Sequence, residues 1–143
     1  FLGGYMDFNN GKDSISSSGE LCCPPLPNVK EEDKKRVYYY SIFPNMLLSL
    51  HPEYVMYHTV WPLSTNRSKV TCSWLFAEEV INSNDHKIQD AVDFWDMTNK
   101  QDWYISELSQ LGIQSKKYSP GPYSGQESLL AAFDKYYIEK INN

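Results

Sequence analysis

Asp93–Gly112 reads Asp-Phe-Trp-Asp-Met-Thr-Asn-Lys-Gln-Asp-Trp-Tyr-Ile-Ser-Glu-Leu-Ser-Gln-Leu-Gly, the pattern of one long helix. At 100° per residue, Ala91, Trp95, Thr98, Asp102, Ile105 and Ser109 share one side. Trp95 and Ile105 bracket Asp102 and are expected to face a sheet, which puts the carboxylate on the face that should be buried. A carboxylate there needs hydrogen bonds, an ion pair, a proton or a metal, because a bare buried charge is costly. Solvation remains the ordinary state of a helix acid, and Asp93, Asp96 and Glu107 read as surface or capping acids. Asp90 is the expected N-cap, Asp93 sits where the helix dipole favours acids, and Gly112 is the expected stop.

Upstream of this helix the texture is β. Val37–Phe43 is rich in Tyr and β-branched residues and ends at Pro44-Asn45; Met46–Leu50 and Tyr54–Trp61 follow. After a turn at Pro62–Ser68, Lys69–Phe76 alternates, with Val70, Cys72, Trp74 and Phe76 on one face. Such runs between turn residues predict an antiparallel meander. Phe1–Phe8 reads as the end of a strand. Asn9–Arg36, with its Ser run, three Pro and a charged block, reads as a long, weakly ordered connection, with one short helix after Asn28. Downstream, Ser124 and Glu127 fit a capping box, and Leu129, Leu130, Phe133, Tyr136 and Tyr137 repeat at helical spacing. The order of strands, long helix, second helix predicts an α+β fold with helices on one face of a sheet.

The 143 residues are 41% hydrophobic and 15% aromatic, enough for one domain with a core, or for a piece of a larger one. The net charge of -5 and the lack of a Lys/Arg patch disfavour nucleic-acid binding, and no nucleic-acid partner is expected. No apolar run approaches a bilayer span, so no membrane partner is expected. Cys22, Cys23 and Cys72 are odd in number and two are adjacent, which suits neither a disulfide framework nor a zinc site; reduced thiols in a cytoplasmic protein are expected. His51, His58 and His86 lack the i, i+4 spacing of a helical metal pair and read as structural or exposed. The opening Phe1-Leu2-Gly3-Gly4 suggests a fragment of a longer polypeptide, whose sheet would have an unpaired edge prone to association.

Several segments together resemble the C-terminal part of the catalytic domain of Rieske-type aromatic-ring-hydroxylating oxygenase α-subunits. They are Gly3–Phe8, Tyr39–Leu48, Phe94-Trp95-Asp96, Gln101-Asp102-Trp103, Gln110–Ser115, and Tyr118–Ser124 with Glu127, in the family's order over nearly the whole chain. The resemblance implies a helix-grip (START-like) fold, an antiparallel sheet packed against a long C-terminal helix. It implies that residues 1–143 are the C-terminal part of the mononuclear-iron domain, without the Rieske domain and the upstream segment bearing the family's two His ligands. Asp102 matches the carboxylate of the Fe(II) facial triad and is the one metal ligand expected here; His51, His58 and His86 are not assigned to the other positions. The whole enzyme would be a homotrimer holding a [2Fe–2S] Rieske cluster besides the iron. It would take electrons from NAD(P)H through a reductase or ferredoxin, and use O2 to hydroxylate or demethylate a small-molecule substrate. Aromatic and quaternary ammonium substrates both suit the resemblance, Tyr and Trp being able to cage a methylated ammonium or simply to fill the core. The fragment alone is expected to be inactive. A non-enzymatic ligand-binding module of the same fold, or a paralogue that lost its metal, are the alternatives.

Overall fold

The computed structural model describes residues 1–9 and 11–142; Asn10, inside the segment expected to be weakly ordered, and Asn143 lie outside them. Five strands form one antiparallel sheet in the order β1-β2-β3-β4-β5: β1 Leu2–Asp7, β2 Arg36–Ile42, β3 Met46–Leu50, β4 Val55–Ser64 and β5 Arg67–Leu75. Sequence neighbours pair throughout, as a meander requires. Tyr38 opposes Leu50, Leu48 opposes Tyr57, and His58 opposes Cys72. Helices α1 Glu78–Ile81, α2 Ile88–Ile113 and α3 Ser128–Ile141 follow. The fold is α+β, as expected.

Element bounds differ from expectation for local reasons. The β4–β5 turn is shorter than Pro62–Ser68: the ladder runs to Ser64 opposite Arg67, with a register irregularity between Pro62 and Ser64. Pro has no N–H to give a ladder, and a bulge accommodates it. Helix α2 starts at Ile88, so Asp90 lies in its first turn and is not the cap. Its carboxylate instead accepts from the Ser18 hydroxyl (2.6 Å) and the Ser18 backbone N–H (3.3 Å). Gly112 remains helical, the helix ending one residue later. The capping box at Ser124 is half formed. Glu127 Oε2 accepts from the Ser124 N–H (2.6 Å), but α3 begins beyond it at Ser128, and the Glu127 N–H donates to the Ser124 backbone carbonyl (3.1 Å).

Two compact units divide within α2, the first holding Gly3–Asn99 and the second beginning at Lys100. The core of the first unit is Cys22, Cys23, Tyr54, Met56, Val80 and Ala91, with Cys72, Trp74, Phe76 and Trp95 packed against it. The alternation read in β5 therefore points into this core, and Trp95 does face the sheet. The connection expected to be weakly ordered is instead part of the core: Ser14, Ser16, Cys22 and Cys23 are buried. It also carries the expected short helix as a 3-10 turn, Glu31–Lys35.

In the second unit, the last part of α2 is followed by a Pro-Gly-Pro loop and α3. Tyr123 donates to Asp134, and Phe133 stacks on Tyr137. The apolar spacing of α3 is helical as expected, but no residue of α3 is buried.

Candidate functional site

The β3–β4 turn, His51-Pro52-Glu53-Tyr54, is the most deeply buried segment of the first unit. His51 N–H donates to the Tyr54 carbonyl (3.0 Å) and closes it. Glu53 is fully buried and accepts from the Ser14 hydroxyl. Burial raises the Glu53 carboxyl above its usual range, and the Ser14 bond opposes that rise. Cys22 lies beside this carboxyl, and its thiol is pushed well up, first by burial and then by Cys23 and Glu53. All three cysteines are free.

His51 stacks on Tyr54 at 4.1 Å between centroids and meets Trp95 edge-on at 5.7 Å. Burial lowers its pKa to about 3, so the ring is neutral near pH 7. Trp95 Nε1 donates to the Tyr54 hydroxyl (2.8 Å), which donates to the Ile15 carbonyl (3.0 Å). This relay joins α2, the start of β4 and the loop before β2 through polar atoms inside the core. Sequence reading treated His51 as structural or exposed and did not single out Glu53. Their one signal was position, a polar pair flanking Pro52 between two apolar runs.

One turn before Asp102, α2 carries a second buried polar contact. Asn99 is 6% exposed and shares a 2.9 Å hydrogen bond with His58 Nε2 of β4. It also bonds the Cys72 thiol of β5, which partly offsets the rise that burial causes there. Because His58 and Cys72 are cross-strand partners, one amide ties the helix to two adjacent strands. His58 is thus structural, and His86 lies in the half-exposed approach to α2.

The structure corrects the expected burial of Asp102. Burial on α2 ends at Asn99, and residues 100–113 are all exposed, Ile105 to 58%. The periodicity puts Asp102 and Trp95 on one face, but Trp95 belongs to the first unit and Asp102 to the second. Nor do the described residues place any group of three or more His, Cys, Asp or Glu so as to hold a metal ion. Asp102 offers a single hard oxygen donor, and an iron centre needs more. No described helix is long and apolar enough to cross a membrane.

Comparison with known proteins finds the glycine betaine monooxygenase oxygenase subunits of two strains of Pseudomonas aeruginosa. Each is 35% identical over 92 residues, 64% of this chain and 21% of the relative. The protein of the same description from Chromohalobacter salexigens is 32% identical over 81 residues, 57% of this chain and 18% of the relative. The aligned region thus spans about a fifth of the length of these curated relatives. The family described as ring hydroxylating alpha subunit (catalytic domain) matches residues 1–143, and with its order of strands and helices this chain belongs to that family.

Proposed function

We propose that residues 1–143 are the C-terminal part of the mononuclear-iron catalytic domain of a Rieske-type non-haem iron oxygenase. The family match over the whole length carries this reading. In the whole protein Asp102 would supply one anionic oxygen ligand, and the two His ligands would come from outside these residues. When bound, Fe(II) supplies the O2 chemistry. The part this chain performs is structural and electrostatic. The Trp95–Tyr54–Ile15 relay and the Asn99 contact fix the first half of the helix that carries the ligand, and Asp102 contributes charge.

The relatives' shared description favours a quaternary ammonium substrate, glycine betaine or a close analogue, over an aromatic one. Demethylation would then be the reaction, with electrons delivered by a reductase or ferredoxin and a homotrimer as the working assembly. Reduced Cys22, Cys23 and Cys72 suit a cytoplasmic enzyme. The chain by itself is inactive in this reading.

The test is iron analysis and O2-dependent demethylation of glycine betaine by the full-length protein, with Asp102→Ala beside it. Loss of iron and turnover in the variant is the expected result. Full iron and full turnover in that variant would overturn the role of Asp102. A parent protein that binds its ligand without iron would instead be a non-enzymatic module of the same fold.

A further inference from the structure

Glu53, in the turn between β3 and β4, is fully buried, and among the described residues it forms no ion pair. Its contacts come from neutral groups. Oε1 accepts from the Ser14 hydroxyl and lies 4.0 Å from the Cys22 thiol. Oε2 has no hydrogen-bond partner among the described residues. A carboxyl in such a place is costly unless it keeps its proton. Burial acts on Glu53 in that direction, and the Ser14 bond and the backbone groups of Cys22 and Glu53 oppose it only in part.

The segment that covers this acid is held on two sides. Ser14 bonds Glu53, the Ile15 carbonyl accepts from the Tyr54 hydroxyl (3.0 Å), and the Cys23 thiol donates to the Glu53 carbonyl (3.6 Å). Towards α2, Ser18 bonds Asp90, and the Cys22 carbonyl accepts from the Lys87 N–H (2.9 Å). Residues 13–23 thus join the turn to the start of α2, and two of their contacts end on Glu53. Ionising a carboxyl fixed there puts a charge in the core that water relieves only if the segment lifts.

We propose that Glu53 is a pH-operated latch: protonated, it holds residues 13–23 closed over Cys22 and Cys23; ionised, it releases them. Opening exposes both thiols and loosens the start of α2. The latch belongs to the first unit alone and does not depend on the oxygenase reading.

The direction of the effect sets it apart. With the segment open, Glu53 titrates near the ordinary 4.5, and with it closed, above that value. Opening therefore releases a proton and becomes more frequent as pH rises above 4.5, by up to about tenfold per pH unit. The other titratable groups around the segment do not imitate this between pH 5 and pH 7. His51 of the turn is lowered to about 3 and Asp90 of α2 is lowered from 3.8, so both favour the closed form as pH rises. Cys22 and Cys23 of the segment are raised from 9.0 and Tyr54 of the turn from 10.0, so they act only above those values. Lys12, Asp13, Glu20 and Lys87 are exposed.

Hydrogen–deuterium exchange of the full-length protein, read by mass spectrometry on peptides covering residues 13–23, tests the latch. Dividing by the intrinsic exchange rate at each pH leaves the protection factor, which reports opening alone. From pH 5 to pH 7 the protection of residues 13–23 should fall about threefold or more, while that of β4 and β5 does not fall. Glu53→Gln has no proton to lose and should remove the fall. The same fall in Glu53→Gln, the same fall throughout β4 and β5, or constant or rising protection of residues 13–23 in the parent overturns the proposal. The parent measurement decides by itself should Glu53→Gln misfold.

Discussion

Acid should destabilise the first unit through His51 well before ordinary carboxylates titrate. The ring is almost fully buried, and burial lowers its pKa from 6.5 to about 3. Between those values the unfolded chain binds a proton that the folded chain refuses. Stability therefore falls as pH falls through that window. Each pH unit below 6.5 costs about 1.4 kcal/mol, so at pH 5 the loss is about 2 kcal/mol. Against a typical domain stability of about 5–15 kcal/mol, that is a large fraction.

Two other groups bear on the same measurement. Burial raises the Glu53 pKa, so the folded form takes up its proton first, and acidification relieves rather than worsens its burial. Its sign is opposite to that of His51. Asp90 is lowered by its Ser18 bonds from 3.8, so its contribution is lost only below that value. Urea unfolding of the parent and of His51→Phe, followed by Trp fluorescence at pH 7 and pH 5, isolates the imidazole. With a urea slope of about 1–3 kcal/mol per molar, the parent midpoint should drop by about 1 M. The His51→Phe midpoint should drop much less, and Glu53→Gln should show a larger acid loss than the parent. An equal acid loss in parent and His51→Phe would refute the reasoning.

A Cβ at Gly3 would clash with the Tyr39 carbonyl and the Tyr40 ring, whereas one at Gly4 meets nothing within 4 Å. Gly3→Ala should thus destabilise by about 1–3 kcal/mol and Gly4→Ala by less than about 0.5 kcal/mol; equal melting temperatures would contradict the packing of β1. Asn99→Leu should cost about 1–3 kcal/mol, because it strands His58 Nε2 half-buried, and a cost near zero in chemical denaturation would remove the contact from the account. With β1 and β5 as the edges of the sheet, the isolated chain should self-associate with rising concentration in sedimentation velocity; a clean monomer with cooperative unfolding would count against that.

The sheet was legible because its strands are β-rich or apolar runs set between turn residues, one of them strictly alternating. Val70, Cys72, Trp74 and Phe76 alternate whatever surrounds them, and turn residues at Pro44-Asn45 and within Pro62–Ser68 separate the runs. The core contribution of the loop before β2 was not legible. Ser14 is buried because Glu53, 39 residues away, accepts its hydroxyl proton, and Cys22 is buried beside that same pair. A Ser-rich, Pro-rich segment has no period to read, and hydropathy cannot anticipate a polar group whose partner lies on another element. The same holds for His51, whose neutral state follows from Tyr54 and Trp95 closing over it.

Asp102 separates what periodicity can establish from what it cannot. Spacing defines a face of α2 but not which of its residues are buried. Trp95 and Ile105 occupy the same stripe, yet one packs against the core and the other is 58% exposed. The argument that a buried acid needs a partner therefore does not apply to Asp102 in this chain, and the case for its role rests on the family motif. Exposure makes that case easier to test. A solvated helix carboxylate contributes little to stability, so Asp102→Ala should change the stability of this chain by less than about 0.5 kcal/mol. If the same substitution empties the full-length protein of iron, the loss is that of a ligand and not of a fold. A large destabilisation of this chain by Asp102→Ala would mean that the acid has a structural partner, and iron loss could then no longer be assigned to ligation.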